Sequence, residues 1–268
     1  MNYWTKRSIE LSSTSNYLDR LFEVYPVSEG ENRPLSSAKK DAILKALSEK
    51  DKKEIIIQCI TSEVSPIKDS YIGYIKKDIS ALDRNPKTVN RISSTLFGMG
   101  YERIIKNMER PAESNRQMGS AFKNWIDREL LGIPVVKDKK QFLSSKEDMI
   151  LSLGDKELGE FARINLGYGR NRGLDFMCRY GGRYIIGEAK FISDNGGNQA
   201  NQFDKAFDIF TAITTVTKYE VIPIAILDGV IYIEGKSKQY AKLKQNNNNV
   251  MSALLIKDFI YSLGDNEL

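Results

Sequence analysis

The sequence predicts an α/β fold, in which a mixed β-sheet is flanked by helices and preceded by an α-helical N-terminal region. Apolar residues at helical spacing run through about the first 112 residues, and short apolar strands bounded by glycine turns begin near residue 173. At about 150 residues per domain, a chain of 268 residues forms one large domain or two joined ones. We divide it into a mainly helical region, residues 1–112, and a sheet-bearing region, residues 113–268.

Helix starts in the N-terminal region are marked by capping residues, two of them followed by proline. These starts are Ser36 or Ser37, Ser65-Pro66 and Asn85-Pro86. The last helix, KTVNRISSTLF, is broken by Gly98 and Gly100 before the basic segment YERIIKNME. Two helices around such a break can form a DNA-contacting pair or an ordinary αα-hairpin, and the sequence leaves both open.

The sheet-bearing region shows two hairpin signals. GLDFMCRY and RYIIGEAK flank Gly181-Gly182, and YEVIPIAIL and VIYIEG flank Asp228-Gly229. Helical patterns cover QMGSAFKNWIDRELL, DKELGEFARINL, QANQFDKAFDIFTAITTV and MSALLIKDFIYSL. The expected order over roughly the last 155 residues is α-β-β-α-β-β-α, a sheet with helices packed on it.

The composition excludes several function classes. The chain has no histidine, which removes Ser-His-Asp triads, HExxH metalloproteases, the usual zinc sites and histidine acid–base catalysis. Two distant cysteines favour a reducing compartment. The N-terminus lacks a signal-peptide pattern, and no apolar run approaches the roughly 20 residues of a membrane span. We expect a cytoplasmic protein without a membrane partner.

Positive charge is concentrated in two segments. Residues 84–116 carry seven Lys or Arg against three acidic residues, and residues 163–190 carry six against two. Such segments favour a polyanion partner, although solvated surfaces with counter-charges elsewhere explain them equally well. The candidate DNA-binding residues in them are Arg91, Arg103, Lys106, Arg116, Arg170 and Arg172.

One carboxylate–lysine triplet stands out by its context. Acid-x-Lys occurs four times, and only Glu188-x-Lys190 ends an apolar strand that has another acid, Asp175, one strand earlier. Strand alternation places Glu188 and Lys190 on one face, and the hairpin returns Glu188 to the end where Asp175 stands. Two carboxylates offer Mg²⁺ hard oxygen ligands, and such a site can hydrolyse phosphodiesters. Lysine can orient water, act as a base if its pKa is lowered, or offset negative charge. The alternative is a surface salt-bridge cluster.

These residues resemble the PD-(D/E)XK nucleases, and among them the type II restriction endonucleases. The similarity covers about residue 117 to the end and rests on GLD, twelve residues and EAK, with the helix QMGSAFKNWIDREL before them. It implies a restriction-endonuclease-like core, metal ligation by Asp175, Glu188 and the main-chain oxygen of Ala189, and a catalytic Lys190. Leu174 stands where the motif has proline. Related nucleases often place a glutamine on the next helix, where Gln199 and Gln202 lie, whereas Glu160 is a weak candidate for a further carboxylate.

The expected function is therefore a Mg²⁺-dependent type II restriction enzyme that cleaves double-stranded DNA at a specific sequence and leaves 5′-phosphate and 3′-hydroxyl ends. Cutting both strands with one site per chain favours a homodimer. No nucleotide cofactor is expected, and the N-terminal region is expected to recognise DNA. The alternatives are a repair or junction-resolving nuclease with the same site, and an inert DNA-binding module.

Overall fold

The computed structural model describes residues 1–26, 34–62, 64–110 and 114–264. The chain forms two compact units, one of Met1–Val27 with Glu113–Leu268 and the other of Ser28–Ala112. This division differs from the sequence-based one at the N-terminus, because the first helices belong to the unit with the sheet. Tyr17, Leu21 and Val24 explain the difference, since they are buried in a core that includes residues of the sheet.

The helices of residues 1–110 account for most of that segment. They are α1 (Tyr3–Ser12), α2 (Tyr17–Val24), α3 (Ser37–Ser48), α4 (Lys52–Ile60), α5 (Ile72–Lys77), α6 (Ala81–Arg84) and α7 (Pro86–Met108). Two predicted starts are confirmed: the Ser36 side chain accepts the Lys39 N–H at 3.3 Å, and Pro86 begins α7. Gly100 breaks α7 with φ 71° and ψ 169°.

The helix predicted after Ser65-Pro66 is wrong in its start, since α5 begins only at Ile72. The Asp69 carboxylate accepts the N–H of Tyr71 at 2.9 Å and also pairs with Arg91. Such a side-chain bond to the local backbone competes with helix formation. The second unit has its own core, in which apolar residues of α3, α4, α5 and α7 are buried together.

The remaining elements build the sheet and its covering helices. They are α8 (Ser114–Asp127), β1 (Val135–Val136), α9 (Lys139–Ser144), β2 (Met149–Leu151), α10 (Asp155–Asn165), β3 (Phe176–Tyr180), β4 (Arg183–Ile192), α11 (Gly197–Phe207), β5 (Val221–Gly229), α12 (Lys238–Gln245), β6 (Val250–Met251) and α13 (Ile256–Ser262). The strands lie in the order β1-β2-β3-β4-β5-β6. Strand β3 is antiparallel to both neighbours, and the other pairs are parallel. The predicted mixed sheet flanked by helices is confirmed.

The first predicted hairpin is confirmed and the second is wrong. Gly181 and Gly182 take φ values of 54° and 76°, as a tight hairpin turn requires, and β3 and β4 pair on either side of them. After Asp228-Gly229 the chain instead forms the 3₁₀ helix Val230–Tyr232, and β6 becomes the neighbour of β5. Residues Ile231 and Tyr232 are apolar because they are buried in the core, not because they form a strand.

Three smaller differences between the predicted and the observed elements concern short strands and 3₁₀ helices. Strands β1 and β2, with two and three residues, are too short to show an alternation in the sequence. The helix predicted through QANQFDKAFDIFTAITTV ends at Phe207 and continues as the 3₁₀ helix Asp208–Thr211. The final helical pattern likewise begins as the 3₁₀ helix Ala253–Leu255 before α13.

The sheet separates two apolar cores, giving a three-layer arrangement. One core joins inward residues of β3–β6 to α2, α8 and α13, and the other joins the opposite face to α9, α10, α11 and α12. Alternating strand residues divide between the two, so that Phe176 and Cys178 lie in the first core and Met177 in the second. Within the described residues, no helix is long and apolar enough to cross a membrane.

Candidate active site

The β3–β4 hairpin brings Asp175, Glu188 and Lys190 together. Phe176 pairs with Gly187, and the Asp175 N–H donates to the Gly187 carbonyl at 3.0 Å, which sets Asp175 beside the middle of β4, where Glu188 stands. Alternation along β4 then points Glu188 and Lys190 to the same face. The juxtaposition expected from the sequence is therefore present in the structure.

The Lys190 ammonium is the centre of this group. Its Nζ donates to Asp175 Oδ2 at 2.5 Å, to Ala189 O at 2.9 Å and to Glu188 Oε2 at 3.2 Å. The Ala189 N–H also donates to Asp175 Oδ2, at 2.8 Å, and so fixes that carboxylate. Three oxygen atoms, from Asp175, Glu188 and Ala189, thus converge on a single positive charge.

Burial and the contacts between Lys190 and the carboxylates together set the electrostatics of the site. Glu188 is only 5% exposed, and this burial raises its pKa to about 7 although Lys190 acts in the opposite direction. Burial also disfavours the Lys190 ammonium, but the carboxylates of Asp175 and Glu188 outweigh it and raise the pKa of Lys190. These contacts favour the ammonium form of Lys190, whose positive charge offsets the charges of the two carboxylates.

Arg172 contacts Glu188 from the other side. Its Nε lies 3.3 Å from Glu188 Oε1, and its Nη1 lies 3.4 Å from Asp208 Oδ2. Its Nη2 donates to the main-chain oxygen of Lys205 at 2.8 Å. This arginine thus compensates a buried carboxylate, whereas Arg170 is exposed and donates to Thr211 Oγ1 at 2.9 Å. The two arginines of one loop have different surroundings.

A cavity of about 260 Å³ opens over the site. Asp175 and Lys190 line it together with Gln202, Asp155 and Lys123. Neither Asp155 nor Lys123 was predicted from the sequence as a site residue. An aspartate at the start of a helix and a lysine on an amphipathic helix are ordinary features, and only packing brings them to this cavity.

Of the two candidate glutamines, Gln202 lines the cavity and Gln199 does not. Gln199 instead accepts the N–H of Ser193 at 3.4 Å through its Oε1. Glu160, the weaker carboxylate candidate, is exposed on α10 and is not part of the cavity wall.

Asp155 reaches the site because α10 begins directly against the start of β3. Its main-chain oxygen accepts the Leu174 N–H at 3.0 Å. A Cβ on Gly173 would lie 2.7 Å from the Asp155 carbonyl carbon, so only glycine permits this approach. Limited solvation and the nearby charge of Asp175 raise the pKa of Asp155. Leu174, at the position of the motif's proline, is fully buried.

Basic residues of the second unit differ in whether their side chains have partners within the chain. Arg91 pairs with Asp69 and stacks over the Tyr71 ring at 5.3 Å. Arg103 and Lys106 are exposed on α7, with no side-chain hydrogen bond or ion pair to the part of the chain that is described. Arg116 belongs to the unit with the sheet, and its side chain lies outside the described residues.

The second basic segment is largely committed to internal contacts. Arg179 is 3% exposed and donates to the main-chain oxygens of Phe142 and Glu147. Arg183 pairs with Glu220 at 3.0 Å. Together with Arg172, these residues show that much of the charge in residues 163–190 stabilises the fold instead of forming a free basic surface.

The donor set fits a hard divalent cation. Among the described residues, no group of three Asp, Glu, Cys or His side chains is arranged to hold a metal ion by itself. However, two carboxylates and one main-chain oxygen already surround the Lys190 ammonium, and oxygen atoms of these types are the ligands that Mg²⁺ prefers. A cation at this place would draw on Asp175, Glu188 and Ala189.

Comparison with known families identifies the class of protein. The family described as Tsp45I type II restriction enzyme matches residues 2–263. The comparisons with curated proteins and with solved structures gave no match. The match covers both units and the hairpin that carries Asp175, Glu188 and Lys190. The chain therefore belongs to the Tsp45I type II restriction enzyme family, a family of site-specific DNA endonucleases.

Proposed function

We propose that this enzyme is a Mg²⁺-dependent endonuclease of the PD-(D/E)XK type, which cleaves double-stranded DNA at a specific sequence. The observation that carries the proposal is the convergence of oxygens from Asp175, Glu188 and Ala189 on the Lys190 ammonium. Burial of such a charged group is costly, so a function is a better explanation than a surface salt bridge. Asp175 and Glu188 are the catalytic carboxylates and metal ligands of the proposal.

Hydrolysis adds water to phosphorus and breaks the P–O3′ bond, which leaves a 5′-phosphate and a 3′-hydroxyl. When bound, Mg²⁺ supplies Lewis-acid polarisation of the phosphate and a more acidic water. The Lys190 ammonium offsets the negative charge that develops on the phosphate oxygens. Arg172 holds and partly neutralises Glu188, because it contacts the carboxylate oxygen that Lys190 leaves free.

The proposal also covers DNA recognition, the oligomeric state and the compartment. The Ser28–Ala112 unit is proposed to take part in DNA recognition, supported by the exposed Arg103 and Lys106 on α7. A homodimer is proposed because one site per chain must cut two strands. The cytoplasm is the proposed compartment, since both cysteines are free and buried, as is usual for proteins of reducing compartments.

Cleavage of mixed-sequence duplex DNA tests the proposal directly. The full-length protein and Lys190→Ala are incubated with phage-length duplex DNA and Mg²⁺, beside a branched DNA junction. We expect discrete fragments from the unaltered protein and a loss of at least about 100-fold in rate in the variant. End-labelling then identifies the 5′-phosphate. Cutting of the junction alone would assign a junction-resolving nuclease, and intact DNA under varied salt and divalent metal would overturn the proposal.

A further inference from the structure

The catalytic cavity has an unexplained positive charge on its wall. Four residues of α8, namely Met118, Gly119, Phe122 and Lys123, line the cavity from one face of that helix. Three of them are apolar or small, as expected where α8 packs on the sheet. Lys123 is the exception. It is a half-buried lysine that follows the buried Phe122 on α8.

Lys190 is fully occupied. An ammonium has three N–H donors, and Lys190 directs them to Asp175, Glu188 and Ala189. It can offset charge, but it cannot donate to a phosphate oxygen without losing one of these bonds. The cavity therefore requires another donor if a phosphodiester is to be held there.

Lys123 is free to supply that donor. It forms no hydrogen bond and no ion pair with the described part of the chain. Its positive charge lowers the pKa of Asp155, another residue of the cavity wall, against the raising effects of limited solvation and of Asp175. A lysine that is half-buried, unpaired and directed at a cavity with carboxylates on its wall is suited to an incoming anion.

We propose that Lys123 is a phosphate-binding residue, which donates to a non-bridging oxygen of the DNA backbone in the catalytic cavity. The inference rests on the proposed function for the identity of the ligand. A phosphodiester approaching Asp155 and Asp175 meets two negative charges, and the positive charge of Lys123 in the same cavity compensates them. Such a contact positions the backbone and carries no sequence preference.

Binding without cleavage tests the role of Lys123. A short fluorescein-labelled mixed-sequence duplex is titrated with full-length protein in Ca²⁺ at several salt concentrations, followed by anisotropy. Lys123→Gln is compared with Lys123→Arg and with Arg128→Gln, an exposed cation just beyond α8 that is not part of the cavity wall. We expect Lys123→Gln to weaken binding about 5- to 10-fold near 0.1 M salt and to reduce the salt slope by about one. Lys123→Arg restores binding, and Arg128→Gln leaves it within about twofold.

Failure of this inference differs from failure of the proposed function. If the unaltered protein cleaves DNA and Lys123→Gln binds with an unchanged slope, Lys123 has no phosphate contact and only this inference falls. If nothing is cleaved but Lys123→Gln weakens binding, the phosphate contact stands and the endonuclease proposal falls. Weak binding by Lys123→Gln that arginine does not restore, or an equal loss in Arg128→Gln, would also overturn the inference. Thermal unfolding of each variant, with Lys123→Met as a second substitution, shows that the protein titrated is folded.

Discussion

At the scale of single residues, the proposed metal site predicts that Lys190 and a divalent cation compete for the same oxygens. Replacing Lys190 by methionine removes a positive charge from the point where Asp175, Glu188 and Ala189 converge. We expect Lys190→Met to bind Mn²⁺ several-fold more tightly than the unaltered protein while losing cleavage, because like charges repel at short range. Isothermal titration calorimetry at alkaline pH, above the raised pKa of Glu188, measures the affinity.

Lys140 provides the control for this experiment. It belongs to another acid-x-Lys triplet, Asp138-x-Lys140, and is exposed on α9. Lys140→Met should leave both Mn²⁺ affinity and cleavage unchanged. Weaker Mn²⁺ binding in Lys190→Met would show that the lysine supports the metal site instead of occupying it.

Asp228 carries a pH-dependent contribution to stability. It is fully buried, and this burial raises its pKa to about 7, against hydrogen bonds from Ser252 and Ala253 that lower it. The folded state therefore retains a proton that the unfolded chain loses near pH 4, and stability falls as pH rises from about 4 to 7. Asp228→Asn keeps the neutral shape and should remove this loss, at up to about 1.4 kcal/mol per pH unit.

Urea unfolding of both proteins between pH 4 and 8 measures the effect. We expect similar stabilities near pH 4 and a growing advantage of Asp228→Asn toward pH 7. Asp258→Asn, an exposed change on α13, is the control. A constant difference between Asp228→Asn and the unaltered protein across the range would contradict the assignment.

At the scale of elements, two glycines of α7 are close in sequence and opposite in role. Gly100 has φ 71° and ψ 169°, a conformation that side chains avoid, whereas Gly98 is helical. A Cβ would meet no atom within 4 Å at either position, so backbone conformation alone separates them. We expect Gly100→Ala to destabilise the protein by about 1–3 kcal/mol and Gly98→Ala to be neutral or stabilising by up to about 1 kcal/mol. Equal effects in urea unfolding would refute the backbone assignment.

The basic part of α7 has a separate prediction. Arg103 and Lys106 are exposed without side-chain partners in the described residues, whereas Arg91 is paired with Asp69. The double variant Arg103→Gln, Lys106→Gln should weaken binding of duplex DNA and lower the salt slope by up to about two, and Arg91→Gln should have a smaller effect. Anisotropy in Ca²⁺ measures both. An equal loss in Arg91→Gln would instead indicate that its ion pair opens on binding.

At the scale of the whole molecule, the proposed homodimer predicts a strand-specific defect in mixed assemblies. With an excess of Lys190→Ala over unaltered protein, most active dimers contain one intact site. We expect nicked circles to accumulate from a supercoiled plasmid, because each mixed dimer cuts one strand. Agarose electrophoresis resolves nicked from linear DNA. Linear product alone, reduced only in amount, would indicate that each chain cuts both strands.

Local chemistry explains why the central hairpin could be predicted. Gly181-Gly182 fixes the turn and period-two alternation fixes the faces, so that Asp175, Glu188 and Lys190 meet without any distant contact. The strand before Glu188-x-Lys190 also distinguished it from the other acid-x-Lys triplets. Two of the others only cap helices, since Asp51 and Asp138 accept main-chain N–H groups at the starts of α4 and α9.

The sequence by itself determined the α/β class, the β3–β4 hairpin and the carboxylate–lysine group, because these depend on neighbours a few residues apart. Only the tertiary structure decided that the first helices join the sheet unit, that β6 lies parallel to β5, and that Arg172 pairs with Glu188. It also decided that Lys123 lines the cavity beside Asp175 and Lys190. Each of these features joins separate segments of the chain. Packing of buried apolar surface decides which segments meet, and the local periodicity of the sequence does not indicate the partner.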